Sequence, residues 1–340
     1  MPSAAISRSS TPRILAGFSR SALTAGLMLA AASPAAAQQR VVVSGRIVRL
    51  ATPADTVGVT GARVVLHRVT AETQGPLDSV RTLSDGRFRF ETPRDTTGLY
   101  LVSARYAGIE FFSSAIRLDP VAAPAPVTLL VADTSSVQPV TVSGRFVVIG
   151  APDSDRRRTI VDLFVIQNSG VVARVSPDSL TPAWTAVLPE AAAHRVPETG
   201  SEISPQAVEF RGDTVQVFAP ISPGARQLLV EHTVSAAQGR LVFPVGPASV
   251  PMQVVTEEPG ATVAGGGMTR TESQVVDERP LARWTGTPAG GAVIEVALPG
   301  APRQERTIVF LLAALVAIGL VLGSLLGLRR GHLATPGVRR

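Results

Sequence analysis

The side chains able to do chemistry are few and scattered. The four histidines, His67, His194, His232 and His332, are never within five residues of one another, and the chain has no cysteine. Metal centres recruit such ligands at short spacings, so local spacing builds none and no cofactor is expected. Glu257-Glu258 and Asp277-Glu278 fall in polar stretches read as loops. A carboxylate-pair hydrolase needs both acids facing one cleft. No Gly-x-Ser-x-Gly elbow occurs, and Gly265-Gly266-Gly267 lacks the strand-to-helix setting of a phosphate loop. Arg211-Gly212-Asp213 matches an adhesive tripeptide but lies between two strand-like runs, where a hairpin turn is the simpler reading. Trp184 and Trp284 are the only tryptophans, a meagre supply for a sugar-stacking platform. These residues point away from an enzyme: no catalytic, cofactor-binding or metal-binding residue can be named.

One spacing does suggest an interaction. Gly319, Gly323 and Gly327 recur every fourth residue in an apolar run, with Ser324 beside them. Helical geometry puts the three on one face, where missing side chains let two backbones approach closely in lipid. These are the expected helix–helix interface residues of a homodimer.

The run containing them, Thr307–Leu328, has 22 residues and no charge. At 1.5 Å per residue it is about 33 Å long, enough to cross a hydrocarbon core. Arg329, Arg330, Arg339 and Arg340 follow it, which marks residues 329–340 as a cytoplasmic basic tail. At the other end, Arg8, Arg13 and Arg20 precede the apolar stretch Ala22–Ala32, then Pro34 and the small-x-small site Ala35-Ala36-Ala37. Residues 1–37 therefore read as a cleavable secretory signal. Everything between is expected on the extracytoplasmic, periplasmic side of the cell membrane, tethered by a single span.

That topology redistributes the charge. The chain is formally +6, which taken whole would hint at nucleic acid. All 32 basic residues are Arg; three lie in the signal and four after the span, leaving 25 against 26 acids in residues 38–306. A nearly neutral exported body has no basic face for polyanions, so no nucleic-acid partner is expected. The run Arg156-Arg157-Arg158 follows Asp153 and Asp155 and reads as a solvated, locally balanced loop.

The body alternates short Val-, Thr-, Ile- and Phe-rich runs with Gly, Pro, Asp or Ser, the pattern of antiparallel β-sandwiches. The fold class expected is all-β: two tandem β-sandwich domains of Ig or prealbumin type plus one C-terminal transmembrane helix. Residues 38–131 make the first unit. Its segments 78–84 and 86–92 are expected to pair across the Asp85-Gly86 turn. In 98–106, Leu99, Leu101 and Ser103 share a face. A second β-rich unit spans 137–299. Its opening run 140–149 matches 41–50 at six of ten positions, including Ser-Gly-Arg in both, which fits a duplication or chance in so Val-rich a chain. Residues 257–291, poor in apolar residues, read as long loops or a partly ordered segment, and 292–298 as a last strand.

Ser44-Gly45-Arg46-Ile47-Val48, Gly61–Leu66, Thr82–Phe90 with Asp85-Gly86-Arg87-Phe88, and Gly98-Leu99-Tyr100 carry a resemblance. Residues 40–131 resemble a carboxypeptidase regulatory-like (transthyretin-like) domain, which implies a sandwich used as a structural or binding add-on and brings no catalytic residues. The junction from Tyr106 to Thr134 is similar to membrane-anchored exported proteins of unknown function, some encoded beside cytochrome c maturation systems. That similarity implies an envelope accessory with a protein partner. The function expected is a non-catalytic binding or scaffold protein of the cell envelope; the alternatives are a surface carbohydrate-binding or adhesion protein, or an unrecognised hydrolase in 137–299.

The topology is open to a direct check. Protease added to spheroplasts should digest the body and spare a short tag placed after Arg340, whereas a protected body would overturn the arrangement.

Overall fold

The structure, a computed structural model, describes residues 40–190, 192–198, 200–276 and 279–299. The expected signal peptide, the acid pair Asp277-Glu278, the span with Gly319, Gly323 and Gly327, and the basic tail lie outside the described residues. Among the described residues no helix is long and apolar enough to cross a membrane. The described chain is nearly all β, with one 3-10 turn at Pro205–Ala207.

Nine strands open it: β1 (Arg40–Thr52), β2 (Asp55–Gly58), β3 (Arg63–Val69), β4 (Gln74–Arg81), β5 (Arg87–Pro93), β6 (Leu99–Tyr106), β7 (Ile109–Phe112), β8 (Ile116–Arg117) and β9 (Val127–Val131). β1 pairs antiparallel with β5 through residues 40–46 and with β2 through 48–52, and parallel with β9 through 45–49. Because β9 overlaps both registers, β5 and β2 lie end to end on one edge of β1 and β9 takes the other. The facing sheet runs β4-β3-β6-β7, with β8 beside β7 on β6. Period-2 alternation closes the sandwich: Val41, Val43 and Ile47 of β1 and Phe88 and Phe90 of β5 meet Val64 and Leu66 of β3 and Tyr100, Val102 and Ala104 of β6. Leu99, Leu101 and Ser103 do share a face, but it is the outer one. Ser103 is nevertheless fully buried, bonded to the His67 ring at 2.8 Å.

One expected pairing is corrected. β4 and β5 do not pair across Asp85-Gly86: β4 bonds to β3 and β5 to β1, in opposite sheets. The turn instead carries the chain from one layer to the other, because Phe88 and Phe90 must reach the core from the β1 side. It is docked rather than free, with the Gly86 carbonyl accepting from the Ile47 N–H at 2.9 Å and Arg46 bonding to the Asp85 carbonyl.

The remaining strands are β10 (Thr134–Ser135), β11 (Thr141–Ile149), β12 (Arg157–Asn168), β13 (Ala173–Arg174), β14 (Trp184–Val187), β15 (Ala193–Pro197), β16 (Val208–Arg211), β17 (Thr214–Val217), β18 (Gly224–Ser235), β19 (Arg240–Pro244), β20 (Met252–Thr256), β21 (Thr262–Ala264), β22 (Thr269–Val276), β23 (Arg279–Gly286) and β24 (Val293–Ala297). A parallel β10-β13 bridge links this region to the first sandwich, and Ala173 enters the first core. Seven strands form one large sheet in the order β15-β18-β12-β11-β20-β23-β22. Two separate three-stranded sheets, β14-β17-β16 and β19-β24-β21, cover the same face of it. Residues 257–291 are thus largely ordered strand, against the loop reading: Leu281, Ala282 and Trp284 of β23 supply buried side chains while the polar residues between them are less buried. The matched runs at 41–50 and 140–149 have matched placements, since β11, like β1, has an antiparallel partner on one edge and a parallel one, β20, on the other.

The docked turn generates a prediction. Gly86 has φ +84°, and a Cβ there would lie 2.4 Å from the Ile47 carbonyl oxygen; Gly108, with φ +85°, has open space around it. Gly86→Ala should cost at least about 2 kcal/mol and Gly108→Ala about 1 kcal/mol. Urea unfolding midpoints of the two variants measure the difference, and equal losses would show that the close approach is unimportant.

Candidate functional site

On the inner face of β12 the alternating residues are Arg158, Ile160, Asp162, Phe164 and Ile166, all at most 2% exposed. Two charges on a buried stripe call for partners. Asp162 receives Arg145 of β11 in a two-pronged bond, Nε to Oδ1 at 3.0 Å and Nη2 to Oδ2 at 2.5 Å. The third guanidinium nitrogen of Arg145 donates to the Pro244 carbonyl at 2.7 Å. The guanidinium carbon sits 4.7 Å from the Phe164 ring centre and 5.7 Å from that of Phe243. Phe164 belongs to the core under the β14-β17-β16 sheet and Phe243 to the core under the β19-β24-β21 sheet, so this ion pair lies at the seam of two cores.

A second buried pair closes the far edge of the β19-β24-β21 core, and the seam itself continues onto β18. Arg158 pairs with Glu258 at 3.1 Å and also donates to the carbonyls of Ala236 and Pro299. Burial pushes the Glu258 carboxyl up, against the pull of Arg158. This corrects two expectations: Arg158 is not part of a solvated loop, and Glu258 is buried rather than in a polar loop, while Glu257 accepts from the Ala151 N–H at 2.8 Å. His232 of β18, paired with Ile160, is fully buried, and neither ring nitrogen has a hydrogen-bond partner. Loss of hydration lowers its pKa to about 4, helped by Arg145 and Arg195 and opposed by Asp162.

Where the two covering sheets fail to meet, a cleft of about 520 Å³ opens over the seam. One wall is β14 with Ala183 before it. The opposite wall is the segment after β19, from Pro244 through Pro247 to Val250. Val140, Val142, Phe164 and Arg145 make the floor. Gln138 and Arg174 also line it, placed by the β10-β13 bridge and by the reciprocal backbone bonds of Arg174 with Ile221. Arg174 forms an ion pair with no carboxylate among the described residues. Its Nη1 reaches only the Gln138 carbonyl at 3.4 Å, and its buried Nε has no partner. Since Asp162 neutralises Arg145, the cleft is an apolar slot with one uncompensated cation.

The residues singled out in the sequence do not converge. His67 lies in the first sandwich, His194 on edge strand β15 and His232 in the seam; His332 is outside the described residues. Among the described residues no group of His, Cys, Asp or Glu could hold a metal ion. Arg211-Gly212-Asp213 is the β16-β17 hairpin turn, with Gly212 at φ +56° and Arg195 bonded to the Gly212 carbonyl and the Asp213 carboxylate. Trp184 packs edge-on against Phe164 at 5.4 Å between ring centres and is mostly covered; Trp284 is buried. Sequence reasoning missed β14, Arg145, Asp162 and Arg174. The alternation Trp-Thr-Ala-Val between Pro182 and Pro189 was the available sign of β14.

Fold and cleft together define an all-β sandwich protein with an apolar, singly cationic slot. No family model and no curated protein matches the chain. Among solved structures it is similar to the crystal structure of a variant of BcpA, the major pilin subunit of Bacillus cereus, at 12% identity over 75% of this chain and 87% of that one, with a TM-score of 0.19. A superposition at that score carries no argument about site or partner. The sandwich architecture rests on the strand pairings themselves.

The buried imidazole sets a pH dependence. His232 titrates at about 4 when folded, against 6.5 for the unperturbed group. Between those values the unfolded chain binds more protons, so this contribution is complete above about pH 6.5, declines as pH falls and is gone by about pH 4. The full span is on the order of 3 kcal/mol. Urea unfolding at pH 7.5 and 4.5 should show His232→Leu losing less stability on acidification than wild type; identical losses would place the acid sensitivity elsewhere.

Proposed function

We propose that this chain is an envelope binding protein in which the cleft between the two covering sheets seats the ligand. The first sandwich, read as a carboxypeptidase regulatory-like module, acts as its structural companion. Residues 1–37 direct export, and 307–328 hold the body on the periplasmic side of the membrane. Pairing of spans through Gly319, Gly323 and Gly327 would present two clefts side by side.

The observation that carries this reading is the chemistry of the cleft lining. It offers apolar walls, threonine hydroxyls and two guanidinium groups. No carboxylate, imidazole or thiol lines it among the described residues, so it supplies burial and charge recognition rather than acid–base groups. Asp162 beneath the floor is fully engaged by Arg145. The sugar-binding alternative is less favoured, because Trp184 is only 8% exposed, leaving little ring face to stack on.

The test uses 1-anilinonaphthalene-8-sulfonate, an apolar anion, with Trp284→Phe protein so that Trp184 alone reports. Binding should brighten the dye and quench Trp184 by energy transfer. Val187, 44% exposed and on the cleft wall, can be changed without touching a core. Val187→Glu should weaken dye binding about tenfold or more, since it places a like charge in a slot meant for an anion. Equal binding by both proteins would place the dye elsewhere and remove the support for this site.

A further inference from the structure

We propose that the cleft takes up an extended segment of a partner protein as an added strand on β14, with a carboxylate of that segment held by Arg174. The inference rests on the reading of the cleft as the ligand seat and names the chemistry of its occupant.

Three observations carry it. First, β14 is an edge strand: β17 occupies one side, and the cleft runs along the other, lined by every residue from Ala183 to Val187. Leu188 N–H donates to the Asp213 carbonyl at 2.7 Å, with Ala186 opposite Val215 and Trp184 opposite Val217. By the two-residue alternation, Trp184, Ala186 and Leu188 direct their backbone groups to β17. Thr185 and Val187 therefore turn theirs toward the cleft. Edge strands that must stay unpaired are usually blunted by a charge, a Pro or a bulge; here Pro182 and Pro189 bracket the strand and the Ala183 N–H bonds back to the Val217 carbonyl, but Thr185 to Val187 between them is left open.

Second, the opposite wall offers few donors to a guest's carbonyls, because Pro244 and Pro247 have no N–H and the Val245 and Val250 N–H groups bond to Ala292 and Pro288. A guest would hydrogen-bond on one side and pack on the other. Its alternate side chains would descend onto Val140, Val142 and Phe164. The four residues of β14 amount to about 13 Å, which suits a segment of about four residues with two inward side chains.

Third, Arg174 is a cation on the lining without a carboxylate partner among the described residues, its Nη1 reaching only the Gln138 carbonyl at 3.4 Å. A guest carboxylate would neutralise that charge through the outer guanidinium nitrogens, which a neutral apolar ligand could not do.

The experiment selects ligands from a phage library of random heptapeptides with free C-termini, using the full chain in detergent and subtracting binders of Val187→Glu. Selected peptides should be apolar at every second position. Resynthesised with N-methyl groups on alternate residues they should bind about tenfold more weakly, and with the methyls shifted by one residue nearly normally. Amidating the C-terminus, or Glu→Gln within the peptide, tells a terminal carboxylate from a side-chain one. Whichever removes the anion should match the loss produced by Arg174→Gln, while Arg174→Lys should keep part of the affinity. Binding indifferent to N-methylation in both phases, laurate binding where no peptide is selected, or selection of the chain's own sequence as a self-association segment would each overturn the proposal. If the naphthalenesulfonate dye still binds at Trp184 while peptides fail, strand addition alone falls; if the dye fails as well, the ligand seat falls with it.

Discussion

The Arg145–Asp162 pair is the point on which the second half of the molecule turns. One sheet of seven strands has more inner surface than either three-stranded sheet can cover, so two covers share it and a seam runs between them. A seam in an apolar layer would be a void or a wet channel. Here a planar guanidinium closes the seam below the cleft, bonded along its edge to Asp162 and Pro244 and stacked near Phe164 and Phe243, one from each core. Burying two charges costs several kcal/mol per ion, and good geometry recovers that cost without adding much net stability. Removing either partner, by contrast, would strand the other charge in both cores. The pair therefore specifies how the covers sit on the sheet more than it strengthens the fold.

The position of the cleft follows from that specification. Arg145 fixes the Pro244 carbonyl, and the segment after it is one cleft wall; Phe164, beneath the guanidinium, supports Trp184 at the start of the other. Floor and walls are thus tied to one side chain. This gives the kind of pre-formed slot that binds without first having to order itself. The second buried pair, Arg158–Glu258, works differently. It gathers the ends of three segments at Ala236, Pro299 and Glu258, as a clamp at the edge of the core. Between the two pairs, His232 is held neutral by its surroundings, which leaves the seam sensitive to acid from within.

The open edge of β14 is the other feature that needs a physical account. In a large sheet every strand but two is paired on both sides, and small covering sheets multiply the number of edges. The edge strands of the second half are treated unequally. β15 carries a register shift and a Pro, and β19 ends in Pro244. β14 has its prolines only outside the strand, at Pro182 and Pro189, and its middle borders a slot that combines apolar walls with an uncompensated guanidinium. An unprotected edge beside such a slot is a hazard for aggregation unless something pairs with it, and that makes it a place to look for a partner.

Strand content was legible in the sequence because alternation is local: β1, β6, β11 and β24 stand in the runs 41–50, 98–106, 140–149 and 292–298, and the Arg211-Gly212-Asp213 turn is where two such runs leave two residues between them. The pattern failed where the answer was not local. Asp85-Gly86 looks like a hairpin, yet the strands it joins belong to opposite sheets, since Phe88 and Phe90 had to meet Val64 and Tyr100 across the core. Residues 257–291 look like loop, yet β23 is ordered because β20 gives it an edge to pair with. Ser-Gly-Arg occurs twice with opposite fates: Arg46 lies at the surface on the Asp85 carbonyl, while Arg145 is buried between two cores. On β12, apolar residues occupy both faces around Asp162, so no periodicity could say which face would be covered twice. The sequence by itself determined that these segments are strands, that the body is nearly neutral and that no disulfide holds it. Only the tertiary structure decided which edges pair, which charges are buried and where the cleft lies, because each of those depends on surfaces brought together from positions tens to a hundred residues apart.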